Sequence, residues 1–230
     1  MINEYSISII IPVYNEYTLI DKSIEEYHTF LKENFIDYEI ILIESGSTDG
    51  SYEKCDEIVK KYNKIKIVHE GAKKGFGSAV KEGYKNATKD LIVLTTLDFP
   101  FPLGAILKGI SLIEKYDYVL SYRSKDPRKI SRKIQSFIYN LIIKIFLRLR
   151  VKHVNSGFKM FRREYIQDLE IKSNGWFLDA EVLYLLKKKK LKFTQIPVEL
   201  IDRTVGKSSV GTFAFLHILK EMFHLIFREK

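Results

Sequence analysis

Three short segments of this 230-residue chain carry polar or acidic side chains suited to a ligand rich in hydrogen-bond donors. Pro12-Val13-Tyr14-Asn15-Glu16 ends one apolar run, Glu44-Ser45-Gly46-Ser47-Thr48-Asp49-Gly50 ends a second, and Thr96-Leu97-Asp98 ends a third. An ionised carboxylate is a pure acceptor, so one at the end of the second run suits the N–H and O–H donors of a base or ribose. Gly46 and Gly50 permit tight turns. Each piece also has a local reading. Asn15-Glu16 and Ser47 are residue types favoured as helix caps, and Asp98 before Pro100 suits an Asx turn.

The elements that must position these segments follow from hydrophobic periodicity. Continuous apolar runs at Ser6–Val13, Tyr38–Ile43, Lys66–His69, Leu91–Thr96 and Tyr118–Tyr122 read as buried strands. Helical spacing over Tyr17–Asn34, Ser51–Tyr62, Gly75–Ala87 and Leu103–Tyr116 separates them. Buried strands alternating with helices predict an α/β fold with a largely parallel sheet covered on both faces. Ligands in such sheets bind at the carboxyl ends of strands, here the loops after Val13, Ile43, Thr96 and Tyr122. The second half predicts a long helix over residues 128–150, a strand within Asn155–Arg162, a helix over Trp176–Lys189, a strand over Lys192–Val198 and a C-terminal helix. No repeat or linker divides the chain. Residues 1–210 are expected to form one domain, with 211–230 as a C-terminal amphipathic helix.

Composition narrows the class. Nearly half the residues are apolar, as in a globular chain, and 38 Lys and Arg against 29 Asp and Glu give a net charge of +9. That charge favours an anionic partner: nucleic acid, an acidic bilayer or a phosphorylated substrate. The basic residues are spread out and no nucleic-acid motif is present, so nucleic acid is not expected. A single cysteine excludes an intramolecular disulfide and fits a reducing cytosol. The polar start, Met1 to Tyr5, predicts no secretory signal, and no apolar run reaches the ~18 residues of a spanning helix.

Taken together, the ordered segments IPVYNE, ESGSTDGS, KGFGSAVKEG and a strand-ending TLD resemble the family 2 glycosyltransferases. Ser121-Tyr122-Arg123, Ile130-Ser131-Arg132-Lys133, Asn155 to Phe161, Trp176 to Glu181, Ile196-Pro197-Val198, Arg203 and Gly206-Lys207-Ser208 are similar to the dolichyl-phosphate mannose synthase branch and its polyprenyl-phosphate relatives. The resemblance covers about Ser6 to Ser209. It implies a GT-A fold and transfer of a hexose from a nucleotide-sugar donor to a polyprenyl-phosphate acceptor, on the cytoplasmic face of a membrane. It also implies residue roles. Pro12, Tyr14, Glu16 and Glu44 would line the nucleotide pocket. Lys74, Gly75, Gly77 and Ser78 would close over nucleotide and sugar. Thr96 and Asp98 would face the donor, with Asp98 binding Mg²⁺ or Mn²⁺. Arg203 and Lys207 would cover the diphosphate. Arg123, Arg132 and Ser136 would grip the acceptor phosphate, and Asp179 and Glu181 would sit beside the reacting sugar. Arg132 and Ser136 are four residues apart, so a helix puts them on one face.

The family pattern has paired acids after the second and fourth strands, and this chain has lost one carboxylate from each. Ser45 follows Glu44, and Thr96 stands two residues before Asp98. A weak metal site, metal-free chemistry and lost catalysis all remain open, the last leaving a protein that binds a nucleotide sugar or a membrane partner. Two segments carry wide apolar arcs. In 128–150, Lys129, Lys133, Lys144 and Arg148 form the polar strip, and in the last helix His217, Lys220, Glu221, His224 and Arg228 do. A basic amphipathic helix suits an anionic bilayer surface. Both are expected to face a membrane, a separate membrane protein or a second copy, in place of the spanning helices of several relatives.

Overall fold

The computed structural model describes residues 4–128, 130–199, 220–222 and 225. The elements run β1 (Ile7–Val13), α1 (Tyr17–Asn34), β2 (Tyr38–Glu44), α2 (Ser51–Lys61), β3 (Ile65–His69), α3 (Phe76–Asn86), β4 (Leu91–Leu94), α4 (Gly104–Ile113) and β5 (Tyr118–Lys125). They continue as α5 (Ile130–Leu147), β6 (Lys159–Arg162), α6 (Arg163–Gln167), α7 (Leu178–Lys188) and β7 (Phe193–Glu199). One seven-stranded sheet has the order β3-β2-β1-β4-β6-β5-β7.

The expected α/β fold with a mostly parallel sheet is present. β1 pairs in parallel with β2 and β4, β2 with β3, and β5 with β7. β6 is the exception, antiparallel to both β4 and β5. An apolar run fixes burial but carries no direction, so periodicity could not announce this reversal. The short helix α6 was likewise not expected.

Alternation along the strands feeds two cores. Ile9 and Ile11 point to the side packed by Ile20, Ile24, Tyr27 and Leu31 of α1, and Ile10 to the side holding Val80 of α3, Ile143 of α5 and Leu183 of α7. All of these side chains are essentially buried. Each is worth about 1.5–3 kcal/mol for its removal from water. Gly83 is needed for this fit, since a Cβ there would lie 2.3 Å from Ile10 Cγ2.

The chain builds outward from β1 through β2 to β3, then crosses to the other side of β1 to place β4. That reversal opens a crevice beyond the carboxyl ends of β1 and β4. Most of the last predicted helix, with Arg203 and Lys207, lies outside the described residues. Met222 and Leu225 are described and join the core beside α5 and α7. At these two positions the apolar arc packs inward, which corrects the expectation of an outward interface there.

Candidate active site

The lips of the crevice are tied to each other by the residues that looked like caps. The first amides of a helix have no partner within it. At the start of α1, Asn15 N–H donates to Ser47 Oγ at 3.0 Å, Glu16 N–H to Ser51 Oγ at 3.0 Å, and Tyr17 N–H to Asp49 Oδ2 at 3.1 Å. Thr48 N–H returns a bond to Asn15 Oδ1 at 2.9 Å. The β2–α2 loop therefore caps α1 from outside. Ser47 does not cap its own following helix, which starts after Gly50 without a side-chain cap. Burial works to raise the Asp49 pKa, but bonds from the Ser51 hydroxyl and from the Tyr17 and Ser51 amides outweigh it and hold the carboxyl below its usual range.

Glu44 faces inward. It is fully buried, accepts Ser47 N–H at 2.5 Å on Oε1, and meets His69 Nδ1 at 3.3 Å on Oε2. Burial pushes its pKa up, and these bonds together with the Gly46 amide more than reverse the effect, leaving a lowered value. Glu44, expected to line a nucleotide pocket, is thus turned into the protein. Its carboxylate has no exposed surface, and it braces the β2–α2 loop. His69 also meets Asp56 Oδ1 at 3.1 Å and stacks on Tyr52 with centroids 3.9 Å apart.

Glu70, just beyond β3, supplies a half-buried carboxylate instead. It accepts Ser45 Oγ–H and Ser78 Oγ–H, each at 2.6 Å, and so joins the end of β2 to the start of α3. Pro12, Tyr14 and Glu16 are half-buried at the end of β1, and Lys73 places its ammonium 3.8 Å from the Tyr14 ring centre. Lys74 is exposed. The glycines after it serve packing. Gly75 has φ +112°, and Cβ atoms at Gly75 and Gly77 would come within 2.3 Å and 2.7 Å of the Asn174 backbone. That backbone is held by Glu181, which accepts Ser173 N–H at 2.8 Å and Lys172 N–H at 3.0 Å. Glu181, expected beside the reacting sugar, is buried with its carboxylate engaged by main-chain amides.

Beyond β4, α1 fixes the third segment. Tyr27 OH shares a hydrogen bond with Thr95 Oγ1 at 2.7 Å and donates to Thr96 O at 3.1 Å, while Ser23 Oγ–H donates to Leu97 O at 2.6 Å. Phe99, at φ +46°, stacks on Tyr27. Thr96 and Asp98 are half-buried at the crevice, and the Thr96 hydroxyl donates to Asp98 Oδ1. Among the described residues no group of three or more His, Cys, Asp and Glu can hold a metal. A hard cation can be held by one carboxylate when substrate phosphates supply further oxygens, and Asp98 fits that partial role.

The opposite wall is basic. Arg123 on β5 donates to Asn155 O at 2.6 Å and to Ser136 Oγ at 3.3 Å, bringing together two of the three expected acceptor ligands. Its Nε is buried and finds no acceptor among the described residues. Burial, then the Arg128 charge, pulls the Arg123 pKa down to about 10. Arg128 itself is paired with Asp126, whose pKa falls to about 2 through that hydrogen bond. Arg132 lies one turn before Ser136 with its side chain exposed. His153 Nδ1 accepts Arg123 N–H at 3.1 Å. Asp179 forms a buried pair with Lys159 at 2.9 Å, and the Lys159 ammonium also donates to Ser156 O at 2.7 Å. His69, Glu70 and His153 were missed in the sequence, and Lys159 stood within the Asn155 to Phe161 segment with no role assigned. Strand-end position is a usable signal for the first two.

A sequence profile described as Glycosyl transferase family 2 matches residues 8–170. The chain is 28% identical over 228 residues to a dolichol-phosphate mannosyltransferase of Pyrococcus furiosus, covering 96% of this chain and 63% of the relative. It is 25% identical to glycosyltransferase AglD of Haloferax volcanii (84% and 32% covered) and 24% identical to dolichyl-phosphate beta-glucosyltransferase of Saccharomyces cerevisiae (85% and 66%). It thus spans between about a third and two thirds of these relatives' lengths. Among solved structures, mannosyl-3-phosphoglycerate synthase of Rubrobacter xylanophilus superposes with TM-score 0.70 at 15% identity, covering 97% of this chain and 75% of that one. Glucosyl-3-phosphoglycerate synthase of Mycobacterium tuberculosis, solved with Mn²⁺, UDP and phosphoglyceric acid, superposes with TM-score 0.68 at 17% identity, covering 96% and 76%. These likenesses bear out the GT-A fold.

Proposed function

The chain belongs to glycosyl transferase family 2, and from that premise we propose that it transfers a hexose from a nucleotide-diphosphate sugar to a polyprenyl phosphate at a membrane surface. One juxtaposition carries the acceptor half of this reading. The half-buried Arg123, whose buried Nε is short of an acceptor, touches Ser136 on a helix whose outer side is apolar and exposed. Ile134, Phe137, Ile145 and Phe146 of α5 are each more than half exposed. From Pro127 to Arg163 the chain has no acidic residue at all. A basic cradle directly beneath an apolar, acid-free helix suits a ligand with an anionic head and a hydrocarbon tail. Among the described residues no helix is long and apolar enough to cross a membrane. In this reading the exposed apolar side of α5 lies in the interface, on the cytoplasmic face.

The chemistry follows from charge. A phosphate monoester has its second pKa near ~6, so at neutral pH its oxygen attacks without a strong base. The new bond joins that oxygen to the anomeric carbon as the bond to the donor diphosphate breaks, which inverts the carbon and frees a nucleoside diphosphate. Arg123 and Ser136 hold the attacking phosphate through donors alone. The end of β1 and Glu70 offer the contacts for the nucleotide. Asp98 would hold a Mg²⁺ or Mn²⁺ whose charge neutralises the leaving diphosphate. Incubation with labelled nucleotide hexoses and vesicles containing polyprenyl phosphate should move label into the lipid phase. No transfer with any donor, with or without metal, would sink the reading.

A second reading is a binding protein that has lost turnover, favoured by Thr96 and Ser45 and by the bond that Thr96 makes to Asp98. It requires that the native chain be inactive and that Thr96→Asp with Ser45→Asp restore transfer.

A further inference from the structure

On its β6 side the ladder stops short of the residue on which the proposed acceptor site depends, while on the other side β5 stays paired with β7 through Arg123 and Val198. β5 pairs with β6 over Tyr118–Leu120, and Ser121 N–H reaches Phe158 O at 3.0 Å. Arg123 N–H lies beyond that ladder, where no carbonyl follows. His153 Nδ1 stands in for the missing acceptor, at 3.1 Å. An amide N–H can only donate, so this nitrogen must carry no proton, and a neutral ring keeps its proton on Nε2. The imidazolium has donors at both nitrogens and would lose the bond.

The surroundings reinforce the neutral form. The charged groups facing the ring are Arg123 on β5, Arg128 and Asp126 in the following loop, and Lys144 on α5. Asp126 is already taken by Arg128, through bonds of 2.8 and 2.6 Å. Burial first, then Arg123, Lys144 and Arg128, lower the His153 pKa. A protonated ring would add another cation to a cluster that one acid does not balance.

We propose that His153 is a positioning residue of the acceptor site: its neutral ring fixes the β6-facing side of β5 at Arg123, and its protonation removes that tether, leaving β7 alone to hold the strand there, and loosens the hold on the acceptor phosphate. The proposal rests on the acceptor reading given above. It makes acceptor affinity fall in mild acid for a reason separate from the ionisation of the phosphate itself.

The test is calorimetric binding of a water-soluble short-chain isoprenyl phosphate between pH 4 and 8, a range that extends below the lowered His153 pKa. His153→Asn keeps an acceptor at the δ position and does not titrate, so its profile reports only the ligand. One pH unit below the His153 pKa about a tenth of the sites remain competent, so the native protein should bind about tenfold more weakly than His153→Asn, after normalising both at pH 8. His153→Ala, lacking the acceptor, should bind weakly at every pH. Nitrogen NMR of the native protein at neutral pH should find the proton on Nε2. Parallel profiles for native and His153→Asn protein, or a proton on Nδ1, overturn the role of His153 alone. Absence of phosphate binding in every variant, with a nucleotide diphosphate still bound, overturns the acceptor reading and this role with it.

Discussion

The two walls of the crevice are built on opposite terms. On the β1–β3 side, nearly every polar group near the opening is used by another part of the chain. Glu44 holds Ser47 and His69, Asp49 caps α1, and Glu70 ties Ser45 to Ser78. On the β5 side the half-buried Arg123 has an unused N–H at its buried Nε, and the helix beside it turns apolar side chains outward. A wall whose groups are satisfied internally presents a fixed shape. A wall with buried donors left over is incomplete until an anion reaches it, because an unpaired buried donor costs about 1–3 kcal/mol. The first arrangement suits a ligand that must be placed, and the second suits one that must be captured.

Four experiments would break or sharpen this contrast. The largest effect belongs to Arg123→Ala, which should lower kcat/KM for the lipid acceptor by about a thousandfold, the ~4 kcal/mol typical of removing one half of a buried charged contact. Donor affinity should change less than about threefold. An equal loss in donor binding, read by calorimetry, would mean the walls are not separate. Asp98→Asn should cut turnover by about a hundredfold, since a carboxylate that helps neutralise a leaving diphosphate is worth several kcal/mol. Phosphate-acceptor binding should survive it. Phe137→Glu combined with Ile145→Glu should weaken sedimentation with anionic vesicles by about tenfold or more. Both side chains are exposed, so the thermal midpoint should move by no more than about 0.5 kcal/mol allows. If a second copy of the chain covers α5 instead, the same variant would change the oligomeric state in the absence of lipid.

The smallest effect tests the self-satisfied wall. Asp49→Ala should cost about 1 kcal/mol, the usual worth of a helix cap, and lower Tm by about 2–4 °C. The folded pKa of Asp49 is lowered, so its contribution is complete above the unfolded value near ~3.9 and disappears as pH falls through the folded value. The Tm difference between native and variant protein should therefore vanish in strong acid. A difference that persists there would assign the loss to something other than the carboxylate.

Much of the scaffold could be read in the residues. β1 and β2 are apolar runs bounded by turn residues, and α1 was placed at Tyr17–Asn34 as found. Direction could not be read, because β6 looks like any other buried strand until its partners are known. In the site, Arg123 and Ser136 came from the family resemblance and do meet. Glu44 and Glu181 came from it too, yet both carboxylates are turned to the protein's own amides. A sequence gives the type and order of such groups but not which donor reaches them first. The roles of His153 and Lys159 could not be read for a related reason. Each gains its meaning from a partner on another strand or helix, Arg123 and Asp179, with no spacing rule to link them.

Helix α1 is fastened at two points. Its first turn is held by the β2–α2 loop, and Ser23 and Tyr27, further along, hold the backbone that leads to Asp98. The helix therefore acts as a crossbar between the rim that would receive a nucleotide base and the rim that would receive its diphosphate. A rigid bar of this kind keeps the distance between those rims constant. It sets a gauge for the length of molecule that can lie across them, before any individual contact is made.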